Sequence, residues 1–156
     1  VHRYLAMLET SYQLVRLPAY AVNRTKRLIK TPKVYWSDPG MALYLAGEAT
    51  PRGAHLENLV LGDLLAWSGT LGERAEILYW RTAVGEEVDF VVEWKGRLLA
   101  IEVKASVRVS SRDARGIMGF REEYGKAVHG GLVLYAGTEV FWLSEGVLAA
   151  PWWRVI

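Results

Sequence analysis

Two neighbouring segments carry acids and a lysine among apolar residues. One reads Glu87-Val88-Asp89-Phe90-Val91-Val92 and the other Leu99-Ala100-Ile101-Glu102-Val103-Lys104. With a strand's period of two, Ile101 and Val103 face one side and Glu102 and Lys104 the other, while Asp89 opposes Val88 and Phe90. A hairpin turning at Lys95-Gly96 can set Asp89 beside Glu102. Ionised groups on apolar strands are costly unless they are paired or bound to metal. Asp89 and Glu102 suit one hard divalent cation, Mg²⁺ or Mn²⁺, with the backbone carbonyl of Val103 as a further oxygen donor. Lys104 beside them could orient or deprotonate a water, or stabilise charge building up on a phosphate. Glu57 is followed by Val60, Leu61 and Leu64 at i+3, i+4 and i+7, so it lies on or beside the buried face of a helix. A metal-bound water, or Lys104, would satisfy it there. A plain ion pair of Lys104 with Glu102 or Glu57 would satisfy the same residues without a metal.

The elements that must position these groups follow from periodicity and punctuation. Residues 1–9 read as the end of a helix. Tyr12 to Leu17 alternates as a strand and stops at Pro18, and Lys33 to Ser37 is a second short strand. Asp38 as N-cap and Pro39 at the first helical position start a helix that runs to Leu45. The apolar spacing from Gly53 to Trp67 predicts a well-buried helix ended by Gly69 and Gly72. Ile77–Thr82, Glu87–Trp94 and Arg97–Lys104 are strands whose short connections imply an antiparallel meander. A helix opens at Ser110 and ends at Gly125, where capping explains Ser110 and Ser111 better than phosphate binding. Val128–Tyr135 is a strand buried on both faces, and the tail, Val140–Leu143 and Val147–Ile156, is β-like and aromatic. From residue 53 the order is helix, strand, strand, strand, helix, strand, an α/β domain on a mixed sheet.

The chain has 156 residues, 51% of them hydrophobic, a net charge of +2 and no cysteine. Disorder and disulfide, thiolate or iron–sulfur chemistry are excluded. No stretch of about 18 residues is free of charge, so no membrane span is expected, and without a secretory signal the default compartment is the cytoplasm. The chain begins without Met, which suggests a segment of a longer protein. Charge is unevenly spread: Arg16, Arg24, Lys26, Arg27, Lys30 and Lys33 follow one another with no acid between Thr10 and Ser37. Such a run is a footprint for phosphate, and equally a solvated surface connection. Arg81 could contact phosphate or the site carboxylates. His55 is a partly exposed helix residue, Asn58 bonds a neighbouring backbone, and Trp152-Trp153 could dock on a missing domain or a second subunit.

The set Glu57, Asp89 and Glu102-Val103-Lys104, in that order of elements, resembles the PD-(D/E)XK nuclease superfamily with its restriction-endonuclease-like core. Lys33-Val34-Tyr35-Trp36-Ser37-Asp38-Pro39-Gly40, Leu56-Glu57-Asn58, Tyr79-Trp80-Arg81, Gly85-Glu86-Glu87-Val88-Asp89-Phe90 and Ile101-Glu102-Val103-Lys104-Ala105-Ser106 are similar to the DUF4143 family. Val88 stands where the superfamily name has Pro. The resemblance implies a basic N-terminal extension over residues 1–50, leading from an ATPase module of the AAA+ type, and a nuclease-like domain over 51–156. It implies Asp89 and Glu102 on the metal, Lys104 acting on water or the scissile phosphate, and Glu57 supporting the metal through water. The expected activity is Mg²⁺- or Mn²⁺-dependent hydrolysis of DNA phosphodiesters. A catalytically inactive DNA-binding or assembly domain of the same ATPase, self-associating in some versions, is the alternative. The segment has no GxxxxGK[ST] loop and so no ATP site of its own.

Overall fold

The computed structural model describes residues 2–22 and 28–154. Helix α1 (His2–Thr10) leads into β1 (Leu14–Leu17), which pairs antiparallel with β2 (Lys33–Trp36) as a separate two-stranded sheet. Tyr12, expected within the first strand, sits instead in the left-handed region at φ 60° and makes the turn into it. Asp38 caps α2 (Pro39–Leu45), with its Oδ1 accepting from the amides of Gly40 and Met41. At the start of α3 (Gly53–Thr70), the Nδ1 of His55 accepts from the amide of Arg52, so this histidine serves the helix end.

Among the described residues, six strands form the main sheet in the order β3-β4-β5-β6-β8-β7. Strands β3 (Glu76–Arg81), β4 (Glu87–Trp94) and β5 (Arg97–Lys104) make the expected antiparallel meander. The β4–β5 turn places Lys95 and Gly96 at φ 51° and 73°, the pair of positive values that a two-residue hairpin of matching twist requires. After a 3₁₀ turn (Ser111–Ala114), α4 (Arg115–Tyr124) crosses over, and β6 (Val128–Tyr135) returns parallel to β5. The aromatic tail is more ordered than its composition suggests. β7 (Phe141–Ser144) folds back on β8 (Val147–Pro151), which inserts parallel beside β6, and Trp152–Arg154 is a 3₁₀ turn rather than strand.

Two cores follow from the two faces of this sheet. On one, α4 supplies Ile117, Phe120 and Tyr124 against Trp80, Val88, Val91, Leu98, Ala100 and Val133. On the other, α3 supplies Val60 and Leu61 against Ile77, Tyr79, Phe90, Ile101, Val103 and Leu134. Leu17 of β1 is buried in this second core, and the backbone bridges Ala19–Tyr79 and Leu28–Thr82 fasten the N-terminal segment along β3. Trp152 packs against the same core, so it is an internal contact, whereas Trp153 is half exposed.

One expectation about β4 is corrected. Val88 belongs to the α4 side and Phe90 to the α3 side, so the two do not share a face opposite Asp89. The alternation breaks at Asp89, alongside a register shift between Leu78 and Trp80 in the paired strand. A local irregularity of this kind re-aims one side chain without ending the strand.

Candidate active site

The β4–β5 ladder runs from Trp94–Arg97 to Phe90–Ile101 and stops there. The next groups along it are Asp89 and Glu102. In place of a further backbone pair, the amide of Val103 donates to Asp89 Oδ2 at 2.9 Å. This bond holds the Asp89 carboxylate at the end of the ladder, where it meets groups from both faces of the sheet. Burial, then Glu102 and Glu57, push its pKa up to about 7, against the opposing pull of the Val103 amide and Lys33.

Glu102 and Lys104 share the other strand face as the spacing predicts. Lys104 Nζ lies 2.6 Å from Glu102 Oε1. Glu102 Oε2 is buried and makes no hydrogen bond of ordinary geometry among the described residues, although the Asp89 amide lies near enough to favour the charged carboxylate. Burial holds the Glu102 carboxyl above its ordinary value despite the lysine. The Lys104 ammonium is raised, because Glu102 outweighs the desolvation that works against its charge.

Glu57 reaches the site from the first turns of α3, but its partner is not Lys104. Lys33 Nζ, from β2, stands 3.1 Å from Glu57 Oε1, 2.6 Å from Glu87 Oε1 and 3.7 Å from Asp89 Oδ1. Three carboxylates thus converge on one ammonium, which also lies 5.4 Å from the centre of the Tyr79 ring. Desolvation opposes the charge on Lys33, yet Glu57, Glu87 and Asp89 together keep its pKa above the usual lysine value. Tyr35, two residues along β2, donates its hydroxyl to Glu57 Oε1, and burial followed by that carboxylate raises its pKa strongly. Asn58 donates to the Trp36 carbonyl at 2.7 Å and ties α3 to β2. Arg81 closes the rim with its Nε 3.5 Å from Glu87 Oε2, half exposed to solvent.

The structure therefore brings Glu57, Asp89, Glu102, Lys104, Lys33 and Arg81 together. The other basic residues lie apart. Arg16 is exposed and paired with Glu9 at 2.8 Å, and Lys30 is exposed. Arg24, Lys26 and Arg27 lie outside the described residues. The basic run does not form one surface: Lys33 turns inward onto the acids, where Tyr35 and Glu87, absent from the expected site, join it. The spacings Lys33-x-Tyr35 and Glu87-x-Asp89 each put a second polar group on a strand face, a signal available in the sequence.

The donor chemistry suits a single oxygen-ligated divalent cation. Two carboxylates adjoin across neighbouring strands, and among the described residues Glu102 Oε2 is buried without a hydrogen bond of ordinary geometry, a donor set that an oxygen-seeking cation would suit. Among the described residues no three His, Asp or Glu side chains form a metal cage, so the fit rests on Asp89, Glu102 and the Val103 carbonyl, with water completing the shell.

Fold and site define an α/β domain with a carboxylate–lysine centre at the end of a β-ladder. Residues 52–155 match the family described as Domain of unknown function (DUF4143), and the chain belongs to that family. Residues 1–52 match a second family, Domain of unknown function (DUF8612). The centre spans both, with Lys33 and Tyr35 from the first segment and the carboxylates from the second. An uncharacterized protein of Mycobacterium tuberculosis is 32% identical over 158 residues, covering 96% of this chain. An uncharacterized protein of Mycobacterium bovis is similar to the same extent. The chain spans 34% of the length of each of these curated relatives. No solved structure matches significantly. No described helix is long and apolar enough to cross a membrane.

Proposed function

We propose that the domain is a metal-dependent phosphodiesterase of the PD-(D/E)XK type, with a restriction-endonuclease-like core, acting on DNA as part of a larger ATPase. The observation that carries this reading is the geometry at the end of the β4–β5 ladder. Asp89 is held by the Val103 amide, Glu102 keeps one buried oxygen without a hydrogen bond of ordinary geometry among the described residues, and Lys104 is held on the other oxygen. Asp89, Glu102 and the Val103 carbonyl would hold Mg²⁺ or Mn²⁺. The chemistry such an ion supplies when bound is a lowered pKa for water and charge neutralisation at the phosphate. Lys104, fixed by Glu102, presents a cation to the attacked phosphate and orients the water. Glu57 acts from a distance, through Lys33 and Tyr35. Arg81 at the rim and the outward cations Arg16 and Lys30 supply contacts to the DNA backbone without reading sequence.

A second reading is a DNA-binding or assembly domain without catalysis, and Lys33 is the observation in its favour. Its ammonium already neutralises much of the carboxylate cluster. Incubation of supercoiled plasmid with Mn²⁺ or Mg²⁺, beside identically prepared Asp89→Ala, separates the two. Nicking by the parent chain alone supports hydrolysis. No nicking by the parent, with salt-sensitive retention of DNA in gel shifts, supports the second reading and rejects the first.

A further inference from the structure

Strands β5, β6 and β8 run parallel, and parallel strands are ordinarily covered on both faces. Here one face is left open over half its width. On the α4 side Val133 and Val147 are fully buried. On the α3 side the ladder sets Ile101, Leu132, Leu148 and Trp142 in one row across β5, β6, β8 and β7. Exposure rises along that row as it leaves α3. Ile101 is 2% exposed, Leu132 and Leu148 are half-buried, and Trp142 is 70% exposed. Helix α3 therefore stands as a wall, and the sheet beyond it is an open apolar shelf. At the foot of the wall lies a cleft of about 460 Å³ that includes Leu64, Trp67, Leu99 and Leu132, and its only charged residue is Asp63. Among the described residues neither the Asp63 carboxylate nor the Trp142 indole has a hydrogen bond or ion pair. An indole N–H only donates and a carboxylate only accepts, so each is what the other lacks.

Knob and cleft lie on one face and at one level of the strands, since Trp142 pairs with Leu148 and Leu148 with Leu132. A two-fold axis parallel to the strands and close to β8 carries each Trp142 onto the cleft of the other copy, the self-complementarity that an isologous dimer requires. The same axis lays β7, the end strand of the sheet, beside the other copy's α3, where Leu65 and Trp67 are partly exposed. Two tryptophans, the cleft walls they cover and the Leu148 contact near the axis come to about 1,000 Å², the low end for a specific interface. We propose that this shelf is a dimer interface: a second copy of the chain covers it, each Trp142 entering the other copy's cleft beside Trp67 and Leu132 with its N–H on Asp63. The interface does not depend on the metal-dependent reading above.

The test is sedimentation equilibrium of the whole chain from about 1 to 100 µM, the range a small interface of this kind reaches. The parent should pass from monomer to dimer, Trp142→Ser should associate at least about tenfold more weakly, and Trp142→Phe, a ring without the N–H, should fall between them. Thermal melts verify folding, and should Trp142→Ser fail to fold, Asp63→Arg is read in the same way. The chain has no cysteine, so single cysteines report the arrangement directly. A short bismaleimide should join Leu148→Cys, near the axis, to its own mate, and should not join Val84→Cys, which is 83% exposed between β3 and β4. A parent that stays monomeric throughout overturns the proposal and leaves the shelf to a different partner. Association of Trp142→Ser as tight as the parent's, or equal cross-linking of the two cysteine variants, overturns it as well.

Discussion

The amide of Val103 donates to the Asp89 carboxylate at 2.9 Å, so a side chain of one strand completes the hydrogen-bond ladder of the next. The bond joins architecture to chemistry, because the same carboxylate that satisfies β5 is the first candidate metal donor. It predicts that Asp89→Ala is destabilising even without metal, by about 1–3 kcal/mol, the cost of leaving a buried amide unpaired. Asp89→Asn keeps an acceptor and should lose less. Urea denaturation of both variants in the presence of a chelator checks the order, and equal losses would remove the ladder role from this bond.

Asp89 also predicts a pH dependence. Its folded-state pKa is raised to about 7 by burial, Glu102 and Glu57, above the ordinary carboxylate value. Between those values the folded state retains a proton that the unfolded state has released. Stability therefore falls as pH rises through this window and levels off above about 7. Thermal melts in chelator from pH 4.5 to 8 should show this decline in the parent and a weaker one in Asp89→Asn. Parallel profiles would exclude Asp89 as its source.

The same proton competes with a cation. Below about pH 7 a bound ion must displace it, so Mn²⁺ affinity should fall by up to about tenfold per pH unit there, with proton release. Titrations in two buffers of different ionisation enthalpy measure the protons released. A binding heat independent of buffer at pH 6 would contradict this linkage.

Tyr35→Phe removes the hydroxyl that Glu57 accepts from and leaves that carboxylate to Lys33 alone. A loss of about 1.5–3 kcal/mol is expected from one hydrogen bond to a charged group. Because Lys33 still holds Glu57, the Mn²⁺ stoichiometry should not change. Denaturation curves and titration of the same preparation test both halves of the statement.

Gly116 sets how closely α4 lies on β4. A Cβ there would meet the backbone oxygen of Glu87 at 1.9 Å, and backbone cannot swing aside. Gly116→Ala should cost about 1–3 kcal/mol or more and disturb the strand that carries Glu87 and Asp89. Gly62, exposed in the middle of α3 with nothing near its missing Cβ, is the contrasting control. Gly62→Ala should stabilise by about 0.5–1 kcal/mol. Melting temperatures moving in opposite directions would bear out the packing argument.

Much of the fold is readable because it rests on short-range rules. The meander follows from three apolar runs joined by short turns, with Lys95-Gly96 supplying the positive φ values of a hairpin. The face shared by Glu102 and Lys104 follows from strand period alone, and their 2.6 Å contact is its direct result. The Asp38 cap and the His55 contact are likewise local, reaching only two or three residues along the chain.

The assembled centre is different. Strand period predicts that Asp89 turns away from both its neighbours, yet Val88 and Phe90 pack on opposite faces, because the pairing with β3 shifts register beside them. Glu57 was expected near Lys104, but it pairs with Lys33 and Tyr35 of a hairpin that precedes the helix. Which ammonium meets which carboxylate depends on how β2, α3 and β4 pack together, and no periodicity within one segment encodes that distance. Backbone geometry and apolar patterning act over a few residues, so they set most of the elements, their order and the strand-borne Glu102–Lys104 pair, while the turn at Tyr12 and the 3₁₀ end at Trp152–Arg154 escaped them. The tertiary structure alone decided that Lys33 leaves the basic run and sits among three acids, because only there does its charge offset the burial of theirs.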